Sequence, residues 1–138
     1  MTASLAGIAL PDDIQWTDEY TAWKVGQIIR PTLTGALVVQ ESALQAGRPI
    51  TLQGFDDGGS RYVAPITLAT LNALRALEET AGAAAMTLVL PAAGDTTRTF
   101  SVRFRRTDGA AIEARPIKYQ IPAEAGDWFL ATLRLIQV

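Results

Sequence analysis

Period-3.6 hydrophobicity occurs in only one stretch of this chain, and that restriction does most to limit its fold. Leu68, Leu71, Leu74 and Leu77 recur every three residues, with Ala69, Ala73 and Ala76 between them. They make one broad apolar helix face. Asn72, Arg75, Glu78 and Glu79 lie mainly off that face. The spacing predicts a helix over 67–81, with Thr67 as N-cap and Gly82 as the residue that ends it. Everything else with a clear pattern has period two.

The cleanest alternation is at 99–105. Phe100, Val102 and Phe104 face one way, while Thr99, Ser101, Arg103 and Arg105 face the other, as in a half-buried strand. Met86, Leu88 and Leu90 alternate with Thr87 and Val89. Ile50 and Leu52 alternate with Thr51 and Gln53. Trp23 to Gln40 reads as two strands, the second carrying Leu33, Gly35, Leu37 and Val39 on one face, and Ser42 to Arg48 reads as a connector. Leu5 to Ala9 reads as an edge strand, and Ile112 to Tyr119 as a weaker strand interrupted by Pro116. Asp56-Asp57-Gly58-Gly59-Ser60 is the clearest turn, because Asp-Gly and Gly-Gly supply positive φ.

Trp128 to Val138 is apolar on both faces. Phe129, Ala131, Leu133 and Leu135 share one side; Trp128, Leu130, Ile136 and Val138 share the other. Two readings fit: a central strand under the helix, or a strand whose second face meets another subunit. The expected fold class is α+β, mainly β. It is a barrel or sandwich of seven to eight mostly antiparallel strands with one packed helix. No repeat, linker or boundary divides the 138 residues, so they are expected to form one domain. Residues 1–22 are a candidate N-terminal arm. They form an acidic loop with Ile14, Trp16 and Tyr20 as apolar anchors, which either pin it to its own core or dock on a neighbour.

Composition narrows the chemistry. The chain has no His and no Cys. It therefore lacks the commonest general base, the commonest transition-metal ligand and any thiol nucleophile. Adjacent acids such as Asp12-Asp13, Asp18-Glu19, Asp56-Asp57 and Glu78-Glu79 diverge from one another on strands and helices. None has the spacing of a calcium loop, and no phosphate-binding or nucleophile-elbow motif is present. The expectation is a non-enzymatic protein with no metal or cofactor. A net charge of −2 argues against a nucleic-acid partner. Thr80 to Gly94, the longest uncharged stretch, is too short and too broken to span a bilayer, and the N-terminus reads as no signal peptide.

Arg98, Arg103, Arg105 and Arg106 form a local basic patch. It reads as a solvated strand face that blunts aggregation, as a complement to an acidic neighbour such as the Asp12 to Glu19 segment of another copy, or as a nucleic-acid contact. Inward-facing Phe100 and Phe104 speak against the last. The residues expected at a subunit interface are Trp16, Tyr20, Trp23, Arg48, Arg103, Arg105 and Trp128.

The stretch Leu33-Thr-Gly-Ala-Leu-Val-Val-Gln-Glu-Ser-Ala-Leu-Gln-Ala-Gly-Arg-Pro-Ile-Thr-Leu-Gln-Gly54 resembles small structural proteins of tailed-bacteriophage tails. The nearest group is the tail-tip or baseplate proteins similar to the distal tail protein, whose core is a β-barrel with a helix. As a layout the resemblance covers residues 20–138; as a string it covers 33–54. It implies a virion component, made in the bacterial host cytoplasm, that forms a ring, commonly sixfold, around the tail axis. Its partners would be further copies of itself and the tube, hub and baseplate proteins. The resemblance does not extend to the large carbohydrate-binding C-terminal domain that some such proteins carry. Alternatives are a tail tube, tail terminator or head–tail joining protein, and a small ligand-binding β-barrel.

Overall fold

The alternating segments pair into one nine-stranded antiparallel sheet in the computed structural model, which describes residues 3–21, 25–44, 46–59, 61–94, 96–118 and 124–138. In chain order the elements are β1 (Ala3–Leu5), β2 (Ile8–Leu10), β3 (Gln15–Trp16), β4 (Val25–Pro31), β5 (Leu37–Ala43), β6 (Pro49–Gln53), β7 (Phe55–Asp56), β8 (Tyr62–Val63) and β9 (Ile66–Thr67), followed by α1 (Leu68–Glu78). After the helix come β10 (Met86–Ala92), β11 (Thr96–Phe104), β12 (Ile112–Pro116) and β13 (Trp128–Gln137). The protein is α+β and mainly β, as its periodicity predicts, with one helix against a large antiparallel sheet.

The sheet runs β2-β1-β10-β11-β13-β6-β3, and β12 and β9 also pair with β13. β13 is the axis of the fold. β11 bonds its C-terminal part and β12 its N-terminal part along one edge, while β6 and β9 occupy the other edge. Its two-sided apolar pattern therefore belongs to a central strand. Ala131, Leu133 and Leu135 enter the core, and α1 packs near β13, β9 and β2. The sheet does not close into a barrel; the described residues form thirteen strands where seven or eight are expected, and nine of them join this sheet.

Core residues follow the alternation. Ile50, Leu52, Leu88, Val102, Leu133 and Leu135 are fully buried beside Leu71 and Leu74 of the helix. Phe104 belongs to the same cluster, and Phe100 packs against it. Thr67 caps the helix, its hydroxyl accepting from the Thr70 N–H. The first-turn N–H groups of Leu68 and Ala69 donate to the carbonyls of Asp127 and Ala125. The helix ends at Glu78 rather than residue 81. Glu79 closes it by donating to the Arg75 carbonyl, and the Thr80 hydroxyl donates to the Ala76 carbonyl. Gly82 has the expected positive φ of 69°.

Two other expectations are corrected. Leu5 to Ala9 is not one strand: Ala6 and Gly7 both have positive φ and fold β1 against β2 as a tight hairpin. The described part of residues 1–22 pairs into its own chain's sheet through β1, β2 and β3, in line with the first of the two readings given for it. The second strand expected at 33–40 begins only at Leu37. Residues 32–36 are a turn, closed by the Thr32 N–H donating to the Ala36 carbonyl, and Ser42 and Ala43 belong to the strand.

Candidate assembly surface

The acidic loop after β2 is fastened to the sheet of its own chain. Trp16 in β3 meets Phe100 of β11 edge-on, with ring centroids 5.4 Å apart. The Arg48 guanidinium lies 4.7 Å from the Trp16 ring centre and that of Arg98 lies 5.1 Å from it. Both distances are within cation–π range. Arg48 also donates to the Glu19 carbonyl at 2.8 Å, and Arg98 pairs with the Glu19 carboxylate. The Trp16 indole N–H donates to Asp18 at 2.7 Å. Asp18 in turn accepts from the N–H and hydroxyl of Thr51 in β6. Arg105 reaches the same hydroxyl at 3.0 Å while bonding Asp108.

These bonds give the basic patch its acidic complement within one chain. Arg98 takes Glu19, Arg105 takes Asp108 and Arg106 takes Glu78. The Asp12 to Glu19 segment expected as another copy's contribution is supplied by the same molecule. Glu113 bonds Arg134 at 2.9 Å and, by that hydrogen bond first, raises the Arg134 pKa. Arg103 lies exposed on the outward face of β11 and makes no ion pair among the described residues.

The residues expected at an interface thus divide. Trp16, Arg48 and Arg105 come together around Asp18 and Thr51 as an intramolecular fastening. Tyr20, 91% exposed, and Trp128 point to solvent at separate places. Trp23 lies outside the described residues.

The feature that sequence reasoning missed is a projecting hairpin. β4 and β5 pair with each other over seven residues a strand and pair with no other strand among the described residues. At a rise of about 3.3 Å per residue the arm is roughly 23 Å long. Opposed residues of an antiparallel pair share a face. One face therefore carries Val25, Ala43, Ile29, Val39, Pro31 and Leu37, broken only by the hydrogen-bonded pair Gln27–Glu41. The other carries Gly26, Ser42, Ile28, Gln40, Arg30 and Val38. Ile29 is 54% exposed and Leu37 62% exposed, and Leu33 at the tip is fully exposed. The signal was present in the sequence: β-branched residues on both sides of two strands, with no helix or strand left over to cover them.

Other chemistry is sparse. No group of three or more metal-capable side chains occurs among the described residues. No described helix is long and apolar enough to cross a membrane. An open groove of about 470 Å³ lies over the outward face of β13, between β12 and β7. No family model matches the chain, and no curated protein or solved structure is significantly similar to it.

Proposed function

We propose that this chain is a non-enzymatic structural subunit of a phage tail tip or baseplate, whose copies form a ring joining the tail tube to the hub. The observation that carries the reading is the β4–β5 arm. A two-stranded hairpin alone in water is marginally stable at best. An exposed run of Val, Ile and Leu on such a hairpin is the kind of surface other proteins cover. Burying it on a neighbour removes the apolar area from water and stabilises the hairpin in one step. The likeness to distal tail proteins falls on the same region, since residues 33–54 run from the arm's tip through β5 into β6. The lack of His and Cys in the sequence favours assembly over catalysis.

The test is the mass of the full-length chain by native mass spectrometry and light scattering, with electron microscopy of the same sample. A closed ring of defined stoichiometry is expected, retained when tail-tube and hub proteins are co-expressed and captured with them. A strictly monomeric chain at about 100 μM that captures neither partner would overturn the reading. Capture of a tube end, a tail terminator or a capsid portal in place of the hub would move the subunit elsewhere in the tail.

A further inference from the structure

The two open edges of the β4–β5 arm differ in what they offer. The Thr32 N–H donates to the Ala36 carbonyl at 2.8 Å, so these opposed residues form a hydrogen-bonded pair. Hydrogen-bonded and non-hydrogen-bonded pairs alternate along an antiparallel ladder. The register runs unbroken from Pro31↔Leu37 to Val25↔Ala43. Val38, Gln40 and Ser42 therefore bond inward to β4, while Leu37, Val39, Glu41 and Ala43 turn both N–H and C=O outward. On β4 the outward residues are Val25, Gln27, Ile29 and Pro31, and Pro31 has no N–H to give.

An open edge templates another strand unless proline, lysine, a bulge or sheer shortness prevents it. β4 carries Pro31. The main sheet ends in β2 and β3, three and two residues long. β5 has none of these devices: it is seven residues long, exposed throughout, without Pro or Lys and without a bulge in its register.

β5 is also its own complement. When it runs antiparallel to a second β5 about a two-fold axis at Gln40, Leu37 meets Ala43 of the second copy and Val39 meets Glu41. The four outward donors on each copy all find acceptors. Centring the axis on Glu41 would oppose two like charges, and centring it on Val39 would leave Ala43 beyond the end of the other strand. At the axis the two Gln40 residues form a non-hydrogen-bonded pair, with Cα atoms about 4.5 Å apart, and each amide can both donate and accept. The bond between Gln27 and Glu41 within each arm is undisturbed.

We infer that β5 adds edge to edge to β5 of a second copy, antiparallel about a two-fold axis at Gln40, making the two arms one four-stranded sheet. The axis stands perpendicular to that sheet, so both Val25–Ile29–Val39–Leu37 faces come to lie on the same side. They form one apolar surface four strands wide that stays open to a further neighbour. The pairing goes beyond the ring reading and does not depend on it, because a ring needs a head-to-tail contact and this one is isologous.

The chain has no native Cys, so one substitution tests the pairing. Gln40→Cys sits at the axis, within disulfide reach of its mate. Mild oxidation should give a covalent dimer. Ile28→Cys, across from Gln40 on the same face, is the control. In the paired arms its two copies lie three strand spacings apart, about 14 Å, and should stay uncrosslinked. A Gln40→Cys chain that forms no dimer would overturn the pairing, and so would equal dimer yields from both variants, which mean random collision. Two prolines, each added to Gln40→Cys, then separate edge from face. Val39→Pro removes an outward N–H of β5 and Ile29→Pro removes the matching one of β4, at edge positions where proline is tolerated. Val39→Pro should lower the dimer yield about tenfold or more and Ile29→Pro should change it less than about twofold. Equal losses would place the contact on the arm's apolar face and overturn the edge pairing. Protection of the β5 amides only after a tube or hub protein is added would give the edge to that protein and overturn it too. A ring whose Gln40→Cys variant stays uncrosslinked removes the pairing and leaves the ring; a crosslinked pair that builds nothing larger removes the ring and leaves the pairing.

Discussion

Asp18 holds Thr51 twice, accepting the backbone N–H at 3.0 Å and the hydroxyl at 2.9 Å across 33 residues of sequence. The same carboxylate accepts the Trp16 indole N–H. One side chain therefore ties the acidic loop, β3 and β6 together. Its partly buried position makes each of those bonds costly to leave unmade.

Asp18→Ala should destabilise the protein by about 2–3 kcal/mol, the cost of stranding partly buried donors around a missing charged acceptor. Asp18→Asn, which keeps one acceptor oxygen, should cost less. Denaturant midpoints at unchanged slope are the measurement. Equal midpoints for Asp18→Ala and wild type would show that the loop contributes nothing to the stability of the sheet.

Gly54→Ala should be destabilising by about 1–3 kcal/mol, in the range for overpacked sites. A Cβ at Gly54 would lie 2.6 Å from the Ala64 carbonyl oxygen, which is backbone and cannot rotate away. The Gly54 N–H meanwhile donates to the Ala131 carbonyl, so the segment cannot retreat without losing that bond. Gly58→Ala offers the comparison. It has positive φ but open space around it, so its cost should be backbone strain alone.

Leu74→Ala should cost about 2–5 kcal/mol, because Leu74 is fully buried between helix and sheet. Arg75→Ala, one residue along, should stay within about 0.5 kcal/mol. Its pairing with Glu79 is 3.9 Å long and solvent-exposed. Thermal melts of the two variants, side by side, read the amphipathic face directly.

That face was legible in the sequence, and so were β6, β10, β11 and β13, because each has a surface buried by its own chain. Burial by the same molecule is what imposes a period. The arm has no such cover, so its apolar residues fall on both faces and fix no register. Leu33 at its tip reads as strand although it is a turn residue, and Gly35 lacks the Asn or Asp neighbour that marks a tight turn. The β1–β2 hairpin was hidden in the same way, its turn being an Ala-Gly inside an apolar run. The fastening at Trp16 was half legible. Its aromatic and arginine members could be named, but Arg48, just before β6, and Arg98 of β11 reach it from 32 and 82 residues away, and sequence separation carries no distance.

The arm gives the prediction that separates assembly from folding. Ile29→Asp with Val39→Asp places two charges in one row of the hairpin, on the face richest in apolar side chains. Neither residue belongs to the core cluster. The core's unfolding free energy in the monomer should therefore change by less than about 0.5 kcal/mol, as for other surface positions. Assembly should fall by at least tenfold, because a buried unpaired charge costs several kcal/mol in any apolar contact. Ile28→Asp, on the mixed face beside Gln40 and Arg30, should perturb assembly much less. Hydrogen exchange adds a local readout: arm amides should exchange fast in the doubly substituted monomer and slowly in the wild-type oligomer, with the β13 amides unchanged. Arm amides equally protected in both proteins would mean that the hairpin is stable without a partner, and the case for its being covered would fall.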